Sequence, residues 1–218
     1  MARRIHDLSL SNLDHLPAAC RACVFWEVSG APRGPRAGDE QVAASRKEAW
    51  WQATQLEWGT PGKALYVDDV PVGYATFAPA EHFARVRRMR HAVSDDALLL
   101  AALWVAPEHR EVGMAKMLLQ SVLRDVHRRH CRALEAYGTR WSGLGEFSWT
   151  CLIPAEFLLA NGFEVLHDDP EQPLLRLDLR KTVRWQESVG HALEGVVSAL
   201  SRRERARAPA RPALEAHR

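Results

Sequence analysis

One stretch limits the fold more than any other: "ALLLAALWVAPEHREVGMAKMLLQSVL", Ala97 to Leu123. Ala97 to Val105 is too continuously apolar for a half-exposed strand, so it reads as a central strand buried on both faces. The helix that follows this strand carries Val112, Ala115, Leu118, Leu119, Val122 and Val126 along one stripe. Lys116, Arg124, Asp125, Arg128 and Arg129 take the opposite side. "CRALEAYG" then returns as a strand, and short connections make the three elements a right-handed βαβ unit with parallel strands. The turn has its own chemistry. A helix start leaves about four backbone N–H groups without intrahelical partners and concentrates partial positive charge. With Gly113 in front of it and Arg110 at the rim, this start is a cradle for a phosphate.

The flanks extend the pattern. Residues 5 to 16 read as a strand entering a helix, and Trp26 to Gly38 as a Gly/Pro loop. "DEQVAASRKEAWWQATQLEWG" reads as a helix capped at Asp39 and closed at Gly59. "KALYV", "DDVP" and "VGYATFAP" form a β-hairpin with an acidic turn. Residues 79 to 95 hold Arg85, Arg87, Arg88, Arg90 and His91, a short helix or loop whose charges read as a solvated face. "IPAEFLLANGF" is a short helix ending at Gly162, followed by two closing strands, "GFEVLHD" and "PLLRLDLR". Trp185, Val189, Leu193, Val196, Val197 and Leu200 recur at helical spacing in a C-terminal amphipathic helix. That helix serves its own domain or a second subunit, leaving a homodimer open. From Arg202 to Arg218 six arginines face Glu204 and Glu215, a solvated basic tail.

With 218 residues, 47% of them hydrophobic, the chain can bury one full core plus an extension. The expected domains are 1–181, a helix extension over 182–201 and the tail over 202–218. No run of about 18 apolar residues reads as a membrane span, and the first residues lack an apolar signal segment, so the expected location is cytoplasmic. Cys20 and Cys23 form a lone C-x-x-C without the second ligand pair a zinc site needs, so no metal is assigned and packed thiols are expected. Nucleic acid is disfavoured as a partner, because no interleaved aromatics accompany the arginines. Walker A and dinucleotide fingerprints are both missing.

Taken in order, these elements resemble the GCN5-related N-acetyltransferase (GNAT) family. "VAPEHREVGMAKMLL" is similar to its acetyl-CoA pyrophosphate loop [Q/R]-x-x-G-x-[G/A], and "AEFLLANGFEVL" to its late helix and "GF" strand. The resemblance spans roughly residues 60 to 180, with 1 to 59 fitting loosely. It implies an α/β (α+β) fold: a GNAT-like central mixed twisted β-sheet with helices on both faces. It implies an N-acyltransferase that uses acetyl-CoA, or another acyl-CoA, as cosubstrate and an amine of a small molecule or protein as acceptor. Carried over to this chain, Arg110, Glu111, Val112, Gly113, Met114 and Ala115 would bind the pyrophosphate. Trp104 and Val105 would offer backbone groups to the pantetheine arm where their strand splays from Ala133 to Tyr137.

Two departures stand out. The half-strand "ALLL", where many members place a carboxylate base, is apolar, and Leu158 stands where many carry a tyrosine acid. The candidates left for proton chemistry are Tyr137, Cys151 and Glu135, with Glu156 and His82 behind them. Trp141, Phe147 and Trp149 lie in a loop that would border an acceptor pocket. A catalytically silent acyl-CoA-binding regulatory module is the alternative that the missing acid and base allow.

Overall fold

The computed structural model describes residues 2–32, 38–110, 113–140 and 152–179. Two compact units divide the chain, Met1–Leu179 and Arg180–Arg218. All described residues belong to the first. The C-terminal helix and basic tail expected over 182–218 lie outside the described residues, as do Glu111, Val112, Trp141, Phe147, Trp149 and Cys151.

Among the described residues eight strands form one mixed sheet: β1 (Arg3–Asp7), β2 (Gly62–Val67), β3 (Val70–Ala78), β4 (Ala97–Val105), β5 (Ala133–Thr139), β6 (Ile153–Pro154), β7 (Glu164–His167) and β8 (Leu174–Asp178). Their order is β1-β2-β3-β4-β5-β8-β7, with β6 pairing β5 off that path. The helices are α1 (Ala18–Arg21), α2 (Glu40–Glu57), α3 (Met114–Arg128) and α4 (Ala155–Ala160). The strand expected to enter a helix over residues 5 to 16 is β1, which ends at Asp7 and leads into a 3-10 helix over Leu10–His15. The acidic turn of the β2–β3 hairpin places Asp68 and Asp69 at φ 47° and 67°, the left-handed pair that a tight two-residue hairpin requires.

Strand alternation sorts the core into two layers. Under α3 and α4, Leu118, Val122, Val126 and Leu158 pack on Leu98, Leu100 and Leu134. On the opposite face Phe25, Trp26, Phe83 and Tyr137 pack on Leu99, and Trp51 of α2 joins Leu8, Leu13 and Tyr66. Each fully buried aliphatic or aromatic side chain contributes roughly 1.5–3 kcal/mol relative to exposure. Lys63, a buried cation of β2, is clamped between Asp7 of β1 and Asp125 of α3, so the N-terminal strand is tied to the main helix.

The basic segment after β3 corrects the expectation of a solvated face. Arg85 lies in a 3-10 turn over Ala84–Arg88, its guanidinium 4.1 Å from the Phe25 ring and its Nη1 donating to the Ala31 carbonyl at 2.9 Å. The cation covers an aromatic face while its donors stay hydrogen-bonded, which offsets its partial burial. Arg87, Arg88 and Arg90 are exposed as expected.

Candidate functional site: an opened strand beside a helix start

β4 changes character halfway along. It pairs antiparallel with β3 from Leu99 to Val105, but Thr76 faces Ala102 while Phe77 faces Leu100, so Ala101 is an extra residue, a β-bulge. The bulge shows in the packing: Leu98 and Leu100 face α3 before it, and Leu103 and Val105 do so after it. Parallel pairing with β5 covers only Ala97 to Leu99, opposite Ala133 to Glu135. Beyond it the strands part, and Ala102, Leu103 and Trp104 are half-buried where Ala97 to Ala101 are buried. The expected splay therefore exists, while the expectation of a strand buried on both faces holds only for its first half.

The opened half runs straight into the helix start. Arg110 Nε donates to the Val105 carbonyl at 2.9 Å, which ties that side chain to the strand end across a 3-10 turn over Pro107–His109. Gly113 caps α3 at φ +79°, a left-handed conformation that side chains adopt at a cost. A Cβ there would meet nothing within 4 Å, so the space before the helix is open.

Strand end, turn and helix start line a cleft of about 380 Å3 with Leu103, Trp104, Val105, Arg110, Gly113, Met114, Ala115, Lys116 and, from the far wall, Leu152, Ile153, Pro154 and Phe157. Gly138 sets that far wall. A Cβ on it would stand 2.7 Å from Leu175 Cδ1 and 3.1 Å from the Ala155 Cβ, so glycine lets α4 sit close on β5. Chemically the cleft offers cations and free helix N–H groups at one end and an apolar trough along the rest. It suits an elongated ligand with a phosphate at one end and an uncharged arm.

Six of the eight residues expected to hold the cofactor, Trp104, Val105, Arg110, Gly113, Met114 and Ala115, come together in this cleft. The other two, Glu111 and Val112, lie outside the described residues. Sequence reasoning missed Lys116 and Phe157. The helical stripe puts Lys116 on the solvent side, yet its place in the first helical turn after Gly113 is the available signal. Phe157 sits beside Leu158, and the turn of α4 puts the phenyl ring on the cleft and Leu158 fully into the core.

None of the described acid–base candidates lines the cleft. Glu135 is fully buried; Ser94 N–H and Arg176 Nη1 donate to its two carboxylate oxygens at 3.0 and 2.8 Å. Arg176 also grips Asp96 with two hydrogen bonds of 2.8 and 2.9 Å, and those bonds hold the Asp96 carboxyl below its ordinary range. This cluster pins the closed half of β4 and holds Glu135 within it, outside the lining of the cleft. Tyr137 is buried, stacked on Trp26 at 5.7 Å, and its hydroxyl donates to the His91 carbonyl. Burial first and the Glu135 charge second push its phenol well above the ordinary value, so it stays protonated. Glu156 is exposed, and His82 Nδ1 lies 3.7 Å from Glu57. Among the described residues no three metal-binding side chains cluster, and no helix is long and apolar enough to cross a membrane.

Solved structures share this architecture. PaiA N-acetyltransferase from Thermoplasma acidophilum, crystallised with coenzyme A, is 15% identical over 82% of this chain and 99% of its own, with a TM-score of 0.53. YncA from Salmonella typhimurium, a putative acetyltransferase with its cofactor acetyl-CoA, is 18% identical over 82% of this chain and 95% of its own, at 0.54. Ribosomal-protein-alanine N-acetyltransferase from Brucella melitensis is 18% identical over 80% of this chain and 99% of its own, at 0.51. At these identities the likeness establishes the fold. No curated protein sequence matches the chain. The model of the acetyltransferase (GNAT) family matches residues 25–141, more than half of the chain and the whole of the opened strand and helix start. The chain belongs to the acetyltransferase (GNAT) family, as an N-acetyltransferase whose cosubstrate is acetyl-CoA.

Proposed function

We propose that this protein transfers the acetyl group of acetyl-CoA to a primary amine of a small molecule or of a protein, with Arg110 to Ala115 and Lys116 holding the pyrophosphate. One observation carries the reading: the opened half of β4 and the left-handed Gly113 helix start meet in a single cleft with an apolar far wall. The arm lies along Leu103 to Val105, where the parallel ladder has ended and backbone groups face the cleft instead of β5. In the transfer the amine nitrogen attacks the thioester carbonyl carbon. The C–N bond forms, the C–S bond breaks, the nitrogen loses one proton, and the CoA thiolate takes one up.

Leu158 is buried in the core, so the thiolate proton does not come from that helix position. Positioning supplies the rate: held at attack distance, a thioester and an amine gain effective molarities of up to about 10⁵–10⁸ M in favourable cases. The test is an acetyl-CoA titration by calorimetry on wild type and on Arg110→Ala/Gly113→Trp, joined to an amine screen followed by thioester loss. Saturable binding abolished in the variant, with acetylated product from one amine, is the expected result. Wild-type affinity retained in the variant sinks the assignment of the loop, and binding without any acetylated product sinks the transfer.

A further inference from the structure

The acetyl-CoA cleft has a closed end. β8 holds one edge of β5, and β4 holds the other as far as the pair Leu99 and Glu135. Past that pair the Gly138 N–H still bonds on the β8 side, to the Pro173 carbonyl at 2.8 Å, so β6 lies on the edge that β4 has left. There Ile153 stands opposite Gly138 and Pro154 opposite Thr139. One step back along this parallel ladder sets Leu152 level with Tyr137, and two steps on from Leu99 set the bulged Ala101 at the same level. Leu152, Tyr137 and Ala101 thus mark the fork where the strands part, and the cleft runs from that fork along Leu103 to Val105 toward the Gly113 helix start.

Packing seals the fork. Among the described lining residues, Leu103, Val105, Met114, Ile153 and Phe157 belong to the layer under α3, whereas Leu152 belongs to the opposite layer with Ala101, Trp26, Phe83 and Tyr137. Leu152 is therefore both a surface of the cleft and a buried part of the aromatic layer behind it. That layer is cross-braced: Trp26 stacks on Tyr137 at 5.7 Å and meets Phe83 edge-on at 6.4 Å. The Tyr137 hydroxyl donates to the His91 carbonyl, and the Arg85 backbone N–H donates to the Trp26 carbonyl at 3.1 Å. A layer packed and hydrogen-bonded in this way yields little to an added methylene.

We propose that Leu152 limits the acyl chain of the donor to acetyl size, a specificity role that rests on the acetyl-transfer reading above. With the pyrophosphate at the helix start and the arm along Leu103 to Val105, the thioester comes last, at the fork. Its acyl group then meets the Leu152 side chain, the apolar surface that ends the trough. The methyl of an acetyl group stops in front of that side chain, and a longer chain has to displace a leucine that the aromatic layer holds from behind. Leu152 makes and breaks no bond. Discrimination by one methylene in a hydrophobic site is worth about 10–200-fold, so a single leucine suffices for the selection.

The experiment measures calorimetric Kd values of the full chain for free CoA, acetyl-CoA and butyryl-CoA, so no acceptor is needed. Wild type should bind butyryl-CoA at least about tenfold more weakly than acetyl-CoA. Leu152→Ala should bring the two thioesters within about threefold of each other and leave the Kd for free CoA within about twofold, because the change lies beyond the thiol. Phe157→Ala, on the other wall, should weaken both thioesters alike and keep the wild-type ratio. Equal wild-type affinity for acetyl-CoA and butyryl-CoA overturns this proposal, and so does a wild-type ratio retained in Leu152→Ala; either result leaves the acetyl-transfer reading intact. A loss of free CoA affinity in Leu152→Ala as large as its change toward butyryl-CoA overturns it too, since Leu152 would then only shape the cleft. If wild type binds no acetyl-CoA, the transfer reading fails and takes this one with it. Should Leu152→Ala not fold by circular dichroism, Leu152→Val decides, with a ratio moved toward butyryl-CoA by about fourfold, the worth of one buried methylene.

Discussion

The two halves of β4 are made of nearly the same residues and do opposite work. Ala97 to Ala101 is buried, and Ala97 to Leu99 pair with β5, Leu99 with β3 as well; Ala102 to Trp104 is half-buried and has lost its parallel neighbour. Composition barely separates them, because both are Ala and Leu apart from Trp104 and Val105. What separates them is the extra residue at Ala101 and the cluster of Glu135, Arg176 and Asp96 that locks the closed half. A strand can therefore be closed core at one end and line a cleft at the other, provided that something clamps one end and something lets the other part.

The largest effect should come from the clamp. Arg176→Met leaves Glu135 buried with only the Ser94 N–H, and removing one partner of a buried pair costs about 3–5 kcal/mol. Chemical denaturation measures it, and a loss under about 1 kcal/mol would mean that the closed half is held by packing alone. Next comes a paired test of the halves: Leu99→Ala should cost about 2–5 kcal/mol, and Leu103→Ala about 1 kcal/mol or less. For acetyl-CoA affinity the order should reverse, with Leu103→Ala the weaker binder. Equal stability losses would show that the opened half is core after all.

Gly113→Val should cost about 1–2 kcal/mol of stability, the strain of a left-handed β-branched residue. Its loss of acetyl-CoA affinity should be far larger than its stability loss implies, because the new side chain fills the space before α3. Calorimetry at a temperature where the variant is folded separates the two. The smallest effect concerns the far edge of the sheet, where the Gln172 and Glu171 backbone N–H groups, and then Arg90, lower the Asp169 carboxyl from 3.8 to about 2. A depressed carboxylate stabilises the fold above its unfolded value, so this contribution is present above pH 3.8 and is lost as pH falls through about 2. Asp169→Asn should flatten the acid limb of thermal stability in that window and leave acetyl-CoA binding unchanged.

Much of this was legible in the chain. The apolar run, the glycine and the amphipathic stripe fix a strand, a turn and a helix because each is a statement about local dihedral preference and periodicity. The hairpin was readable for the same reason, since "DD" between two strand-forming runs tolerates the left-handed turn. The helix near "NGF" was placed correctly, yet which of Phe157 and Leu158 met the cleft was not, because a single residue step on a six-residue helix rotates the side chain by about 100°.

Sequence alone therefore determined the order of elements, the helix start behind Gly113 and the apolar residue at Leu158. Tertiary structure decided the rest: that β4 bulges at Ala101, that Glu135 meets Arg176, 41 residues away, and that Tyr74 meets Trp104 across the ladder. The physical reason is range. Dihedral preference and hydrophobic period act over a few residues and leave a trace in any short window. A hydrogen bond between distant side chains depends on the whole path of the chain between them, and no local pattern records it.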